Sequence, residues 1–449
     1  MKRLEDIFKL ELIDSFPSVE NLNIDKSMAI LGNSTYKKKL SYDLDDEAVL
    51  KIHKESTRRG HATITSLPEL LIHFKGTRVL DYYLTSFKFT RALISSTRRI
   101  NYNYDDFALP DSLINSKYSN DIEYLLKQSY DFYQEMLKQN VERDQARKIL
   151  PLCFFSQGFV KIPLDVAIEL TRTRSKVKEL CLVGNSLDNI LREISPIIYE
   201  NKKKLNFSTI YSARNIFQED NFILNYDDFT KVNDFLISSD VRNFLKEYKI
   251  NENYDYNYLS EQLHSKVYVQ FSKYISLAIY NEEKRHSTVN FSVESIYDAL
   301  NYALYKIDSL EKVVYLPKIL EKKQLTSDFL KINKQMLLLY ENLIKEIPKE
   351  DAIYIVPQSL KIHINGTLDA YNLFHPFGYL AVRSCITSDL EMYETTNQLI
   401  EQISELLPEL KPYLGQKCKI GFCPEKNYCS NIFKYNSSYN QEIHRKYLL

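Results

Sequence analysis

Two segments of the chain, QARKILPL (145–152) and EDAIYIVPQ (350–358), share one frame: Ala146 and Ala352 lie 206 positions apart, and a proline closes each, Pro151 and Pro357. A repeat of so long a period fixes the architecture before any local motif does, because each copy must build the same unit. Both segments follow an amphipathic stretch. Ile122, Leu125, Leu126, Tyr133, Met136 and Leu137 recur at helical spacing before the first, and Phe329, Ile332, Met336, Leu339, Leu343 and Ile347 before the second. Upstream of each helix, Leu70, Ile72, Phe74 and then Val267, Val269, Phe271 alternate as half-buried strands do. A second helix follows each proline, with apolar faces at Leu180, Val183, Leu187, Ile190, Leu191, Ile194 and at Leu399, Ile400, Ile403, Leu406, Leu407. Duplication explains this recurrence most simply. The expected fold class is α+β: two tandem, helix-rich α/β domains, each with a small, mostly antiparallel sheet. They are expected at 1–208 and at 209–449 with a cysteine-containing tail, the boundary falling in the Lys/Asn/Asp/Tyr-rich segment from Asn201 to Phe229.

Charge and composition then narrow the function. Lys and Arg together number 59, as do Asp and Glu. No net charge draws the chain to nucleic acid or an anionic membrane, so an anionic ligand must be met by a local cluster. Only 9 of 449 residues are glycine, against a usual ~7 %. Neither G-x-G-x-x-G nor G-x-x-x-x-G-K-[ST] occurs, which argues against a standard dinucleotide fingerprint and a P-loop. The opening MKRLEDIFKLELIDSF is charged, and the longest uncharged apolar stretch, Ile149 to Val160, falls far short of the ~20 residues of a spanning helix. A cytoplasmic protein is expected. Six cysteines, at 153, 181, 385, 418, 423 and 429, are too few and too uneven for a disulfide scaffold. Cys418, Cys423 and Cys429 crowd together in KCKIGFCPEKNYC, where a zinc site would need a fourth ligand and His444 is the nearby histidine. The expectation is an ordinary reduced C-terminal loop and no metal.

Gly60-His61, ISSTRRINYNYDDFALP, QARKILPL and a helix ending in Arg174 follow one another in an order that resembles the flavin-dependent thymidylate synthases (ThyX-like). That family carries Gly-His, then R-H-R-x-x-S-x-N-x-x-S-x-R-Y, then A-R-x-x-L-P, then a helix-end arginine. The second half resembles it too, in RHSTVNFSVESIY (285–297), DAIYIVPQ, TLDAYNLFH, Arg383 and the tail GQKCKIGFCPE. Nearly the whole chain is covered, as two degenerate tandem copies. The first keeps Ser96 and Arg98 of the signature but has Ser86, Phe87 and Lys88 at R-H-R, Arg91 at the first serine and Leu93 at the asparagine. The second keeps Arg285, His286 and Ser295, with Ser287, Asn290, Ser292 and Tyr297 at the other positions.

The resemblance implies roles residue by residue. Ser96 and Arg98 match the nucleotide-phosphate pair, and Arg147 and Arg174 match further contacts to deoxyuridylate (dUMP), Arg174 being the residue assigned to catalysis. A guanidinium offers phosphate a planar fork of donors, which a neighbouring hydroxyl extends. His61 matches a histidine near the folate. Arg285, His286, Ser295 and Arg383 match cofactor contacts, where a cation would stabilise charge in the reduced flavin. In the first copy Pro163 and Glu169 replace the two asparagines expected after A-R-x-x-L-P, so that copy is expected to hold flavin poorly.

The implied reaction is reductive methylation of dUMP to dTMP, with methylene from methylenetetrahydrofolate, hydride from reduced FAD and electrons from NADPH. No protein thiol attacks the pyrimidine in this family, which suits cysteines that sit in no activating context. A family member with one copy needs four chains, so a duplicated chain is expected to form a homodimer, a pseudo-tetramer. Two alternatives stand beside this reading: a diverged flavoenzyme acting on another pyrimidine nucleotide, and a non-catalytic binding or scaffold protein of the same fold.

Overall fold

The computed structural model describes the chain apart from residues 38, 41, 60–62, 97–99, 101, 174, 206–212, 220, 222, 224–225, 249–254 and 448–449. The first copy runs β1 (Lys9–Phe16), α1 (Ile24–Lys37), α2 (Asp46–Arg59), β2 (Glu69–Thr77), α3 (Arg78–Leu84), β3 (Arg91–Ile94), α4 (Ser119–Lys138), β4 (Phe155–Pro163) and α5 (Lys178–Ile194). The second runs β5 (Lys231–Ile237), β6 (Val267–Ser276), α6 (Leu277–Glu283), β7 (Asn290–Val293), α7 (Ile296–Tyr305), α8 (Thr326–Leu343), β8 (Lys361–Asp369), α9 (Tyr379–Arg383) and α10 (Leu390–Leu406). Short helices and 3-10 turns fill the connections.

Each copy builds one four-stranded antiparallel sheet, ordered β1-β2-β4-β3 in the first and β5-β6-β8-β7 in the second. The sheets match down to an irregularity: β1 slips between Leu12 and Asp14, and β5 between Val232 and Asp234. In both, a phenylalanine lies across from a glycine, Phe74 from Gly158 and Phe271 from Gly366. A Cβ on Gly366 would stand 2.3 Å from Phe271 Cζ, so only glycine lets the ring lie over the strand. The alternating runs expected as strands lie in β2 and β6. Leu70, Ile72 and Phe74, like Val267, Val269 and Phe271, are fully buried.

One difference between the copies compensates itself. Five positions carry the chain from Phe271 to Ser276 where three carry it from Phe74 to Thr77, and nine separate Pro357 from Gly366 where seven separate Pro151 from Gly158. On this side of the Phe–Gly pair both central strands of the second sheet thus run two residues further, an even step that keeps every side chain on its face.

The compact units do not follow the copies. Unit 1 comprises Met1–Asp220 with Ser295–Ser359, and unit 2 comprises Asn221–Glu294 with Leu360–Leu449. Unit 1 therefore holds the long helix and proline-ended turn of both copies. There α4 packs on α8, with the Phe132 and Phe329 rings 6.5 Å apart. The apolar positions at helical spacing line these faces: Ile122, Leu126, Tyr133, Phe329 and Leu343 are buried. Helix α8 stops at Leu343 rather than reaching Ile347, whose N–H closes a turn by donating to the Leu343 carbonyl at 2.9 Å. Unit 2 holds the second sheet, α6, α9, α10 and the C-terminal tail.

Candidate functional site

The residues that would carry chemistry hang on the short helix following the second strand of each sheet. Thr77 caps α3 by accepting the Val79 N–H, and Ser276 caps α6 by accepting the Ile279 N–H. Each cap is in turn gripped by a buried glutamate from a later helix. Glu179, in the first turn of α5, accepts the Thr77 N–H at 2.7 Å and its hydroxyl. Glu391, in the first turn of α10, accepts the Ser276 N–H at 2.6 Å and its hydroxyl at 2.6 Å. Complete burial pushes the Glu179 carboxyl up to about 7, against the hydrogen bonds from Thr77.

The turn beyond these helices is where the copies part. After α3, Ser86 is buried and donates to the Tyr83 carbonyl at 2.7 Å, while Phe87 packs edge-on against Tyr83. No charge is presented at either position. After α6, Arg285 Nε donates to the Asn281 carbonyl at 2.9 Å, and His286 sets its ring edge-on to Tyr379 at 5.5 Å. Arg383, at the end of α9, donates to the Glu282 carbonyl at 2.8 Å. Three of the four residues expected to meet cofactor thus converge on one helix C-terminus, whose carbonyls favour cations. The group has capacity left for a ligand: Arg383 Nε is a buried donor without a hydrogen-bond partner among the described residues. Asn290 and Ser292, at two drifted signature positions, line a nearby cavity of about 240 Å³ on unit 2 together with Gln270 and Asn365. Amides and a hydroxyl supply both donors and acceptors, which suits a neutral polar ring.

Ser295, the fourth, is committed elsewhere: it is fully buried and caps α7 by accepting the Tyr297 N–H at 3.2 Å. Tyr297, at the position of the signature arginine, is itself buried, and Lys349 lies 4.5 Å over its ring.

In unit 1, Arg147 is buried in the 3-10 turn Arg147–Ile149, its Nε donating to the Asp144 carbonyl at 3.3 Å. Arg78 pairs with Asp81 at 2.7 Å, both buried. Around these arginines the Tyr102 and Tyr133 hydroxyls are buried with no partner among the described residues. Burial pushes Tyr102 up to about 12 while Arg78 and Arg147 oppose it. Two orphan hydroxyls beside guanidiniums form a donor set that fits a phosphate or carbonyl oxygen. Ser96 follows β3, half-buried, its carbonyl accepting the Ile100 N–H at 3.1 Å; no described contact joins it to Arg147. His61, Arg98 and Arg174 lie outside the described residues.

Sequence reasoning missed a buried polar cluster in unit 2. Lys273 Nζ donates to Glu283 Oε1 at 2.8 Å, to the Tyr379 hydroxyl at 2.7 Å and to Thr396 Oγ1 at 3.1 Å; Tyr379 also donates to Glu283. Burial pulls the Lys273 ammonium down, and Glu283 opposes it. The cluster anchors α6 and α9, the two helices that carry Arg285, His286 and Arg383. A lysine in an apolar strand was the available signal. His444 does not stand free to bind a metal: its ring nitrogens meet the Tyr439 hydroxyl at 2.9 Å and the Lys426 carbonyl at 3.0 Å.

A duplicated, helix-rich α+β chain with one small antiparallel sheet per copy and basic and hydroxyl groups set on the helix after each central strand defines the class. The profile of the thymidylate synthase complementing protein family, Thy1, matches residues 14–196 and 244–409, and the chain belongs to that family in two tandem copies. Similar curated proteins include the flavin-dependent thymidylate synthases of Pyrococcus abyssi, 29% identical over 149 residues (32% of this chain, 58% of the relative), and of Pyrococcus furiosus, 26% identical over 150 residues (32% and 59%). The matched stretch thus spans less than two thirds of those relatives. Among solved structures, a UMP/dUMP methylase, PolB from Streptomyces cacaoi, bound with 5-Br dUMP, aligns at a TM-score of 0.37 and 13% identity over 43% of this chain and 93% of that one. Among the described residues no helix is long and apolar enough to cross a membrane.

Proposed function

We propose that the chain is a flavin-dependent thymidylate synthase that methylates dUMP to dTMP with methylenetetrahydrofolate and NADPH, the second copy holding FAD and the first the nucleotide. The observation that carries this is the convergence of Arg285, His286 and Arg383 on the C-terminal end of α6, with Arg383 Nε lacking an acceptor among the described residues. The corresponding turn of the first copy has been filled by buried Ser86 and Phe87. Each copy has thereby lost what the other retains. When bound, the flavin supplies hydride; Arg285 and His286 stabilise negative charge on its ring, and Arg383 orients it. Ser96 and Arg98 bind the nucleotide phosphate, Arg147 makes a further contact to dUMP, and the Tyr102 and Tyr133 hydroxyls fix its orientation. Arg174 keeps the dUMP contact and catalytic role, and His61 the place near the folate, that the resemblance implies. Placement and charge stabilisation in a site shielded from water are what this chain contributes.

The proposed copies extend over 1–208 and 209–449 in a cytoplasmic homodimer. Rescue of a thymidine auxotroph by the full chain tests the activity, and failure of a flavin-loaded protein to rescue contradicts it. A second reading, methylation of another pyrimidine nucleotide, is favoured by Leu93, which stands 77% exposed on β3 where the signature has asparagine. Turnover of UMP but not dUMP by the purified, flavin-loaded protein selects that reading.

A further inference from the structure

The C-terminal tail lacks the core its order requires. After α10 it consists of 3-10 turns at Pro408–Tyr413, Lys417–Ile420 and Ser430–Lys434 and a short helix, Gln441–Tyr447. Its apolar cluster comprises Cys418, Cys423, Ile432 and Tyr439, with Phe422, Tyr428 and Ile443 packed against it. Segments of about 40 residues with so small a core are held by disulfides, metals or a larger body. None of the six cysteines is in a disulfide.

Four of those six meet in one place. Cys418, Cys423 and Cys429 of the tail line a cavity of about 20 Å³ together with Cys385, which follows α9. The volume is roughly that of one small atom or ion. Cys418 sits on the turn Lys417–Ile420, which ends at Gly421 with φ 89°, a left-handed conformation that bends the chain back and brings Cys423 beside it. Cys429 opens the turn Ser430–Lys434 without capping it through its side chain. Cys385 is buried, and its sulfur accepts the Thr387 hydroxyl at 3.3 Å. Lys417 and Glu425, ion-paired with each other, line the same cavity. The fourth ligand that the three-cysteine motif lacks in sequence is thus Cys385, 33 positions before Cys418, and not His444.

We propose that Cys385, Cys418, Cys423 and Cys429 form a structural tetrathiolate site for zinc, which ties the C-terminal tail to the end of α9. Thiolate softness and four-fold tetrahedral coordination select zinc, and a closed set of four leaves no position for substrate. On binding, four S–H protons are released and four Zn–S bonds form, with no change of oxidation state. As the side chains stand, no three His, Cys, Asp or Glu groups among the described residues are drawn together closely enough to hold an ion. The thiols must close to the ~2.3 Å Zn–S distance around it.

The test is metal analysis of the full chain purified without chelator, followed by replacement of the metal with Co²⁺. We expect one zinc per chain and, with cobalt, the d–d bands of a tetrahedral thiolate site, to the red of any flavin absorption. Cys385→Ser and Cys423→Ser should lower zinc affinity at least tenfold, whereas Cys181→Ser should leave it unchanged. Wild-type protein that neither carries zinc nor develops the cobalt bands, or in which the four thiols pair as disulfides, overturns the proposal. So does a Cys385→Ser variant that keeps the full tetrathiolate spectrum.

Discussion

Pro151 and Pro357, the residues that close the two copies of the repeated turn, face each other across an antiparallel bridge inside unit 1. The Leu152 N–H donates to the Val356 carbonyl at 2.9 Å, Cys153 N–H to Tyr354 at 2.8 Å, and Gln358 N–H to Leu150 at 3.0 Å. Equivalent segments pairing antiparallel with each other is how a two-fold interface between identical subunits is built. Duplication has brought such an interface within one chain, and the packing of α4 on α8 continues it.

That seam should be strongly coupled. Phe329 is fully buried against Phe132, so Phe329→Ala is expected to lower the unfolding free energy by about 3–5 kcal/mol. In a double-mutant cycle with Phe132→Ala, the two losses should fall short of additivity by at least ~0.5 kcal/mol. Residues 1–208 expressed alone should aggregate, since the face of α4 and the backbone groups of Leu150 to Cys153 lose their partners. Additive losses in urea titrations, or a soluble folded half, would contradict the account.

Tyr102→Phe separates stability from function. Its hydroxyl is buried and unpartnered among the described residues, and such a group costs about 1–3 kcal/mol. The variant is expected to stabilise the ligand-free protein by roughly 1 kcal/mol while weakening dUMP binding. Arg98→Ala should weaken binding by roughly ten- to a hundredfold through loss of a phosphate contact. Calorimetry checks both; unchanged affinity in Tyr102→Phe removes the nucleotide from this part of unit 1, and unchanged affinity in Arg98→Ala removes the phosphate role from Arg98.

Glu179 predicts a pH dependence. Its folded value, about 7, lies above the ordinary 4.5, so the neutral acid is the form that folding favours. The stability it contributes is full below about pH 4.5 and is lost as pH rises through about 7, up to roughly 3 kcal/mol in all. Glu179→Gln, which cannot ionise, should therefore gain on the wild type as pH rises from 5 to 8. A gap between the two that stays constant across that range would rule out the raised carboxyl.

Assembly follows from the repeat. Light scattering of the full chain should give about 106 kDa, twice its 52.9 kDa. A monomer with synthase activity would show that one chain completes a site alone, and a tetramer would show that fused copies do not replace separate subunits.

Much of this was legible in the sequence, and for definite reasons. The apolar spacing of Ile122 to Leu137 and of Phe329 to Leu343 reports which helix face is buried, and the Ala146/Ala352 frame reports duplication. Neither reports the partner, so nothing in the sequence told that the two long helices pack on each other. Glu179 and Glu391 read as ordinary acids of a helix first turn, favoured there by the dipole, and only the fold turns them onto Thr77 and Ser276. Cys385 lies too far from KCKIGFCPEKNYC for spacing to join it to the other cysteines. Ser295 kept its family position yet caps a helix, a role that serine favours by itself.

The most direct test of the central claim is the absorption spectrum of the purified full chain, before and after addition of FAD. The account predicts a yellow protein, or one that takes up added FAD, and predicts that Arg285→Ala lowers its flavin affinity roughly tenfold. Because Arg285 is exposed, that variant should unfold within ~0.5 kcal/mol of the wild type. A folded, colourless protein that fails to bind added FAD would contradict it.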